Sequence, residues 1–181
     1  NGNAINTKLL NGYVVVIDPG FRTTDVATFY DGIMLDPPNS FSLEKGLQWV
    51  YAGVAERLKE MTSDYANPIE TDDKELDKIF RVNDGFYPWN NGAIDLNPVK
   101  QKMLAQLATD ISREIMKTLK PIAGRIHTIL VAGKVGEMVY PYLNLENKIL
   151  IDNPQFGNAE GFRVMAANLV NNLTRKVSSE Q

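Results

Sequence analysis

The sequence predicts an α/β domain: a mixed five-stranded sheet flanked by helices, with a small inserted subdomain. Three observations carry that expectation. The run YVVVID at 13–18 is continuously apolar up to its final acid, the pattern of a strand buried on both faces. Two β-prone segments follow it at once, separated by turn signals. After residue 97, apolar strands alternate with helices of 3.6-residue periodicity.

The elements follow in order. Residues 1–12 are polar and read as an incoming segment. TDVATFY at 24–30 alternates loosely, and Asp31-Gly32 signals a hairpin into a short IML strand. A helix is predicted next, with Ser42 as N-cap and Glu44 in its first turn. Leu47, Val50, Val54, Leu58 and Met61 share one face of it. Residues 63–96 are acidic and turn-rich, then aromatic (DGFYPWNNG), and predict a short helix and a hairpin. They are the inserted subdomain; 1–62 and 97–181 form the core. Asn97-Pro98 opens a long amphipathic helix, Asn as cap and Pro in the first position. Met103, Leu104, Leu107, Ile111, Ile115 and Leu119 mark its apolar face. HTILVA at 127–132 predicts a strand, 136–143 a short helix and KILID at 148–152 the last strand. Phe162, Met165, Ala166, Leu169, Val170 and Leu173 mark a closing helix. A three-stranded meander followed by alternating strands and helices is the ribonuclease-H-like order.

Composition narrows function. The 181 residues are 44% apolar, ordinary for a globular chain. Lys and Arg total 19 against 22 for Asp and Glu, a net charge of −3, so no basic nucleic-acid surface is expected. No cysteine rules out disulfides and thiolate metal sites, and one histidine, His127, rules out a histidine metal cluster. The absence of cysteine fits a cytoplasmic protein. No apolar run approaches the roughly 18 residues of a membrane span. The chain begins at Asn1 without methionine, which suggests a fragment or a processed product.

Two clusters carry candidate chemistry. In Asp18-Pro19-Gly20-Phe21-Arg22-Thr23-Thr24-Asp25, a glycine after a buried strand lets backbone approach a ligand. Turn amides and two hydroxyls suit phosphate oxygens, and Asp18 suits the water shell of Mg²⁺ or an attacking water. A hairpin turn with threonines chosen for β propensity accounts for the same residues equally well. The second cluster is Gly133-Lys134-Val135-Gly136-Glu137, a strand, glycine turn and helix start that suits a nucleotide at a helix N-terminus. A plain β–α turn is its alternative.

Asp-x-Gly-x-x-Thr-Thr-Asp after an apolar strand resembles the second phosphate motif of the actin-like ATPases, most of all the ParM-like plasmid-segregation and archaeal actin-like branch. The second cluster resembles that family's adenosine motif. LENKILIDNPQFGNAEGF, including Asn158 to Gly161, resembles its last strand and closing helix. Order and spacing agree over most of 13–170. The resemblance implies a C-terminal domain of a filament-forming ATPase that binds Mg²⁺ and ATP between two domains. Its N-terminal domain would lie outside this chain. Asp18 would be the hydrolysis residue and hold Mg²⁺ through water. Gly20, Thr23, Thr24 and Asp25 would serve the phosphates. Gly133, Lys134, Gly136 and Glu137, with Glu44 and Lys45 at the first helix, would serve the adenosine. Self-assembly, a DNA-bound adaptor, a role in plasmid segregation or the cytoskeleton, and weak or absent hydrolysis by the isolated chain are also implied. Pro19 and the separated glycines depart from the family pattern.

Two other classes compete. A ribonuclease-H-type nuclease shares the strand order, but the strand ending at Ala132-Gly133-Lys134 brings no acid. An actin-fold interaction module without catalysis fits Pro19 and the separated glycines. Elsewhere bland roles are expected: His127 structural, Trp49 in the core, DDKELDK a solvated helix face. Phe86, Tyr87 and Trp89 are expected to be subdomain core or a subunit contact.

Overall fold

The computed structural model describes residues 11–64 and 68–154. Strand β1 (Tyr13–Pro19) is the centre of the sheet. It pairs antiparallel with β2 (Thr24–Tyr30) and parallel with β7 (Ile126–Val131). On the far side of β2 lie two short antiparallel strands, β3 (Ile33–Met34) and β4 (Phe41–Leu43). Beyond β7 lies the parallel strand β8 (Lys148–Leu150). The sheet therefore has the order β3-β2-β1-β7-β8, with β4 also on β2. Its antiparallel half comes from hairpins and its parallel half from helical crossovers, which parallel strands require.

Helix α1 (Leu47–Met61) and helix α3 (Asn97–Thr118) pack on each other. Val50, Val54 and Leu58 from α1 and Leu107, Ile111 and Ile115 from α3 are fully buried with Val15, Ile17 and Val131 of the sheet. Between these helices run α2 (Asp73–Val82) and the hairpin of β5 (Phe86–Trp89) with β6 (Gly92–Asp95). Asp72 caps α2 by accepting from the Glu75 amide at 2.8 Å. Leu76 and Ile79 of α2 join the main apolar cluster. Helix α4 (Lys134–Val139) follows β7, and a tight 3₁₀ turn at Tyr140–Tyr142 leads toward β8. Among the described residues no helix is long and apolar enough to cross a membrane.

Several boundaries differ from expectation, each for a local reason. Ser42 is not an N-cap: it lies within β4, and its hydroxyl donates to the Asp25 carboxylate across the sheet. Glu44 is consequently not in the first turn of α1, which starts at Leu47. Strand β4 makes six strands where five are expected; three residues are too few for alternation to register. Asn97 does not cap α3 with its side chain. That amide donates to the Asp84 carbonyl at 2.7 Å, and Asp95 accepts from the Asn97 backbone at 2.9 Å. Helix α4 starts at Lys134, two residues ahead of the predicted span. The expected closing helix and Asn158 to Gly161 lie outside the described residues. His127 is exposed on β7 with Nδ1 2.8 Å from the Thr128 hydroxyl. Trp49 is half-buried against the core. Tyr87 and Trp89 pack on the core while Phe86 is exposed.

Leu107 of α3 is fully buried in the core, so Leu107→Ala is expected to cost about 2–5 kcal/mol. Ile33→Ala, at a site 71% exposed, should cost no more than about 0.5 kcal/mol. Urea unfolding of the two variants measures the difference.

Candidate functional site

Asp18 stands at the end of β1, paired across the hairpin with Asp25, and Pro19 pairs with Thr24. The turn between them closes through the Gly20 amide, which donates to the Thr23 carbonyl at 2.7 Å. Thr24 points inward: it is fully buried, and its hydroxyl donates to the Lys45 carbonyl at 2.8 Å. Thr23 is half-buried and Asp25 is exposed. The turn thus leaves Gly20 and Thr23 half-buried and uses Thr24 as an internal tie.

The parallel pairing of β1 and β7 places the second cluster beside the first. The Ala132 amide donates to the Ile17 carbonyl at 2.8 Å, so both strands end at the same level. Gly133 has φ +78°, a conformation glycine adopts freely, and a Cβ there would overlap the Asp18 carboxylate. The backbone of β7 therefore approaches Asp18 only because residue 133 lacks a side chain. Gly136 brings α4 against the same turn, since a Cβ there would lie 3.4 Å from Pro19 Cδ. Pro19 is buried by this packing, which gives its ring a structural role. Lys134 and Glu137 are exposed and pair with each other at 2.6 Å, a surface ion pair contributing at most about 1 kcal/mol.

Lys45 meets this turn through its carbonyl, which accepts from Thr24, while the side chains of Glu44 and Lys45 turn elsewhere. They line a separate groove of about 590 Å³ beside β4 and α3. There the Lys45 ammonium donates to Asp110 at 2.7 Å and sits 4.8 Å above the Trp49 ring. Instead, a cleft of about 650 Å³ opens beside Lys134 and Val135, lined also by Phe21, Tyr51, Phe80 and Lys100. Its wall is an aromatic ladder. Phe21 meets Tyr51 edge-on at 6.2 Å, and Tyr51 stacks on Phe80 at 5.8 Å. The Lys100 ammonium lies 4.2 Å over Phe80, a cation–π contact. Burial, then Asp77, raises the Tyr51 hydroxyl to about 12, and the hydroxyl donates to Asp77 at 3.2 Å. Burial lowers Lys100, and Asp77 partly offsets this. Sequence reasoning missed this cleft. Its one signal was Asp77, Phe80 and Arg81 at i, i+3 and i+4, which place three non-aliphatic side chains on one face of α2.

Asp18 with the Gly20–Thr23 turn, the Gly133 turn and the adjoining cleft define an actin-type α/β domain. The chain matches the family model of the archaeal actin homologue MreB-like C-terminal domain over residues 16–139, and it belongs to that family. No curated protein matches it. Among solved structures it is similar to a non-polymerisable quadruple mutant of pCBH ParM (24% identity, TM-score 0.74, 89% of this chain and 49% of that one). It is also similar to ParM in a 15-stranded filament from Clostridium botulinum (23% identity, TM-score 0.71, 86% and 46%). A third is Ta0583, an archaeal actin homologue, in complex with ADP (23% identity, TM-score 0.70, 87% and 50%). These likenesses establish the fold, and the chain spans about half the length of each.

Gly133→Ala is expected to destabilise the domain by about 1–3 kcal/mol, from positive φ and the clash with Asp18 together. Thermal unfolding checks this; a melting temperature equal to that of the parent would contradict the placement of Asp18 against Gly133.

Proposed function

We propose that this chain is the C-terminal, nucleotide-facing half of a filament-forming ATPase. Mg²⁺ and ATP would bind between it and an N-terminal domain of the same protein. The observation that carries the proposal is the close approach of the Gly133 backbone to Asp18, at the shared end of β1 and β7. Gly133 abuts the Asp18 carboxylate there, the Gly20 turn follows Asp18 directly, and a cleft with an aromatic wall adjoins both turns. Ligands of open α/β sheets bind outside the carboxyl ends of the strands, which is where Asp18 and Gly133 lie.

The residues fit the group. Gly133 makes a cradle that a Cβ would fill, and the Asp18 carboxylate seated in it is the ligand type Mg²⁺ takes while keeping several waters. When bound, Mg²⁺ would neutralise charge on the phosphates. Asp18 would hold water at its carboxylate. Gly20 and Thr23 would face the phosphates, with Thr24 and Asp25 supporting the turn from β2. Gly133, Lys134, Gly136 and Glu137 would flank the nucleoside, and Phe21, Phe80 and Lys100 would enclose it. Residues 63–96 would act as the small subdomain, and 1–62 with 97–181 as the core. Among the described residues no cluster of three acids or histidines could hold a metal. The described part therefore lacks the converging carboxylates of a two-metal nuclease.

The filament of the Clostridium botulinum relative and the ADP complex of Ta0583 support self-assembly and nucleotide binding by analogy. A cytoplasmic role in plasmid or DNA segregation, through a DNA-bound adaptor, is the finer part of the proposal.

Calorimetry of Mg²⁺-ATP with this chain and with an N-terminally extended one tests it. Weak or absent binding to the short chain and tight binding to the longer one are expected. Asp18→Asn in the longer chain should lower hydrolysis by about 100-fold. No binding to either chain would contradict the ATPase reading and leave an interaction module.

A further inference from the structure

Helix α1 begins without the usual devices. No side chain caps it, and its first turn carries no acidic residue. A helix start leaves four amides without internal partners. Here the Leu47 amide donates to the Gly20 carbonyl at 3.1 Å and the Gln48 amide to the Phe21 carbonyl at 2.8 Å. The 20–23 turn is therefore the cap of α1, and α1 in return holds the turn by two hydrogen bonds.

The fit depends on Gly46. Its φ of −152° is extended backbone open to any residue, so torsion does not require glycine. Space does: a Cβ at 46 would lie 2.5 Å from the Gly20 oxygen, 2.6 Å from the Phe21 oxygen and 2.8 Å from the Phe21 carbonyl carbon. These are backbone atoms that cannot rotate away. Thr24 ties the preceding residue through its bond to the Lys45 carbonyl, and Lys45 is anchored to Asp110 of α3. The Leu47 and Gln48 amides are thus committed to the turn.

We propose that Gly46 and Thr24 are positioning residues that set the height of the 20–23 turn against the terminal phosphate of the nucleotide. The inference rests on the reading of that turn as a phosphate contact. Adding a methyl group at 46 pushes the Gly20 and Phe21 carbonyls outward and moves the Gly20 amide and Thr23 with them. Removing the Thr24 hydroxyl frees the Lys45 carbonyl and loosens the same joint. Both changes act most on the phosphate that ATP has and ADP lacks. Neither residue need touch the nucleotide.

The test uses the N-terminally extended protein and titrates Mg²⁺-ATP and Mg²⁺-ADP separately. Gly46→Ala and Thr24→Val should each weaken ATP by about tenfold or more, corresponding to about 1.4 kcal/mol. ADP affinity should stay within about twofold of the parent, and Thr24→Ser, which keeps the donor, should restore ATP affinity. Thermal melts identify a variant that does not fold, and Thr24→Val then stands in for Gly46→Ala. Equal loss for ATP and ADP, or a lower melting temperature with no change in either affinity, would overturn the positioning role and leave the ATPase reading intact. A parent protein that binds neither nucleotide would overturn both.

Discussion

Parallel pairing of β1 with β7 is the constraint on which the rest of this site depends. Residues 18 and 133 are 115 positions apart in sequence, and no local preference brings them together. The register Val14↔Thr128 through Ile17↔Val131 does, and it ends both strands at one level. That register is fixed by burial on both sides. Val15, Ile17 and Val131 are fully buried, and a slip of one residue would turn each to the opposite face. The geometry of the two turns is therefore set by core packing several residues away.

Around this pairing, elements serve two purposes at once. The 20–23 turn closes a hairpin and also caps α1. Gly133 stands between β7 and α4 at the N-cap position of α4 and leaves space for Asp18. Tyr51 is a core residue of α1 and part of the cleft wall, and its hydroxyl satisfies Asp77 of α2. Because buried polar groups are costly when unpaired, each such bond also fixes the relative placement of two elements. The cleft is thereby tied to the sheet through α1 and to the 63–96 segment through α2. Gln48 adds to this by donating to Asp73 at 2.9 Å.

Much of the fold was legible because its long helices are strongly periodic and its central strands are apolar runs bounded by turn signals. YVVVID and the Leu104-to-Leu119 face each have one structural solution, and the meander and alternation follow from their order. Strand β4 was not legible, since Phe41-Ser42-Leu43 is too short for a period and Ser42 has the chemistry of a helix cap. The start of α1 was misplaced for the same reason: its cap is a distant carbonyl pair, which leaves no local signature. Of the site, Asp18 and the two glycine turns could be found because each follows an apolar strand. The internal direction of Thr24 could not, because Thr23 and Thr24 are the same residue type and only the pleat decides which is buried. The partnership of Lys45 with Asp110 and the aromatic wall of the cleft depend on contacts between helices, which periodicity does not specify.

On the proposed function, the Gly20–Asp25 and Gly133–Glu137 turns form one nucleotide-facing surface. The decisive measurement is backbone amide NMR of the labelled, N-terminally extended protein titrated with Mg²⁺-ATP. Both turns should shift together along one saturation curve, with Phe80 and Lys100 following. Shifts confined to one turn, or centred on the groove of Glu44 and Asp110, would contradict it.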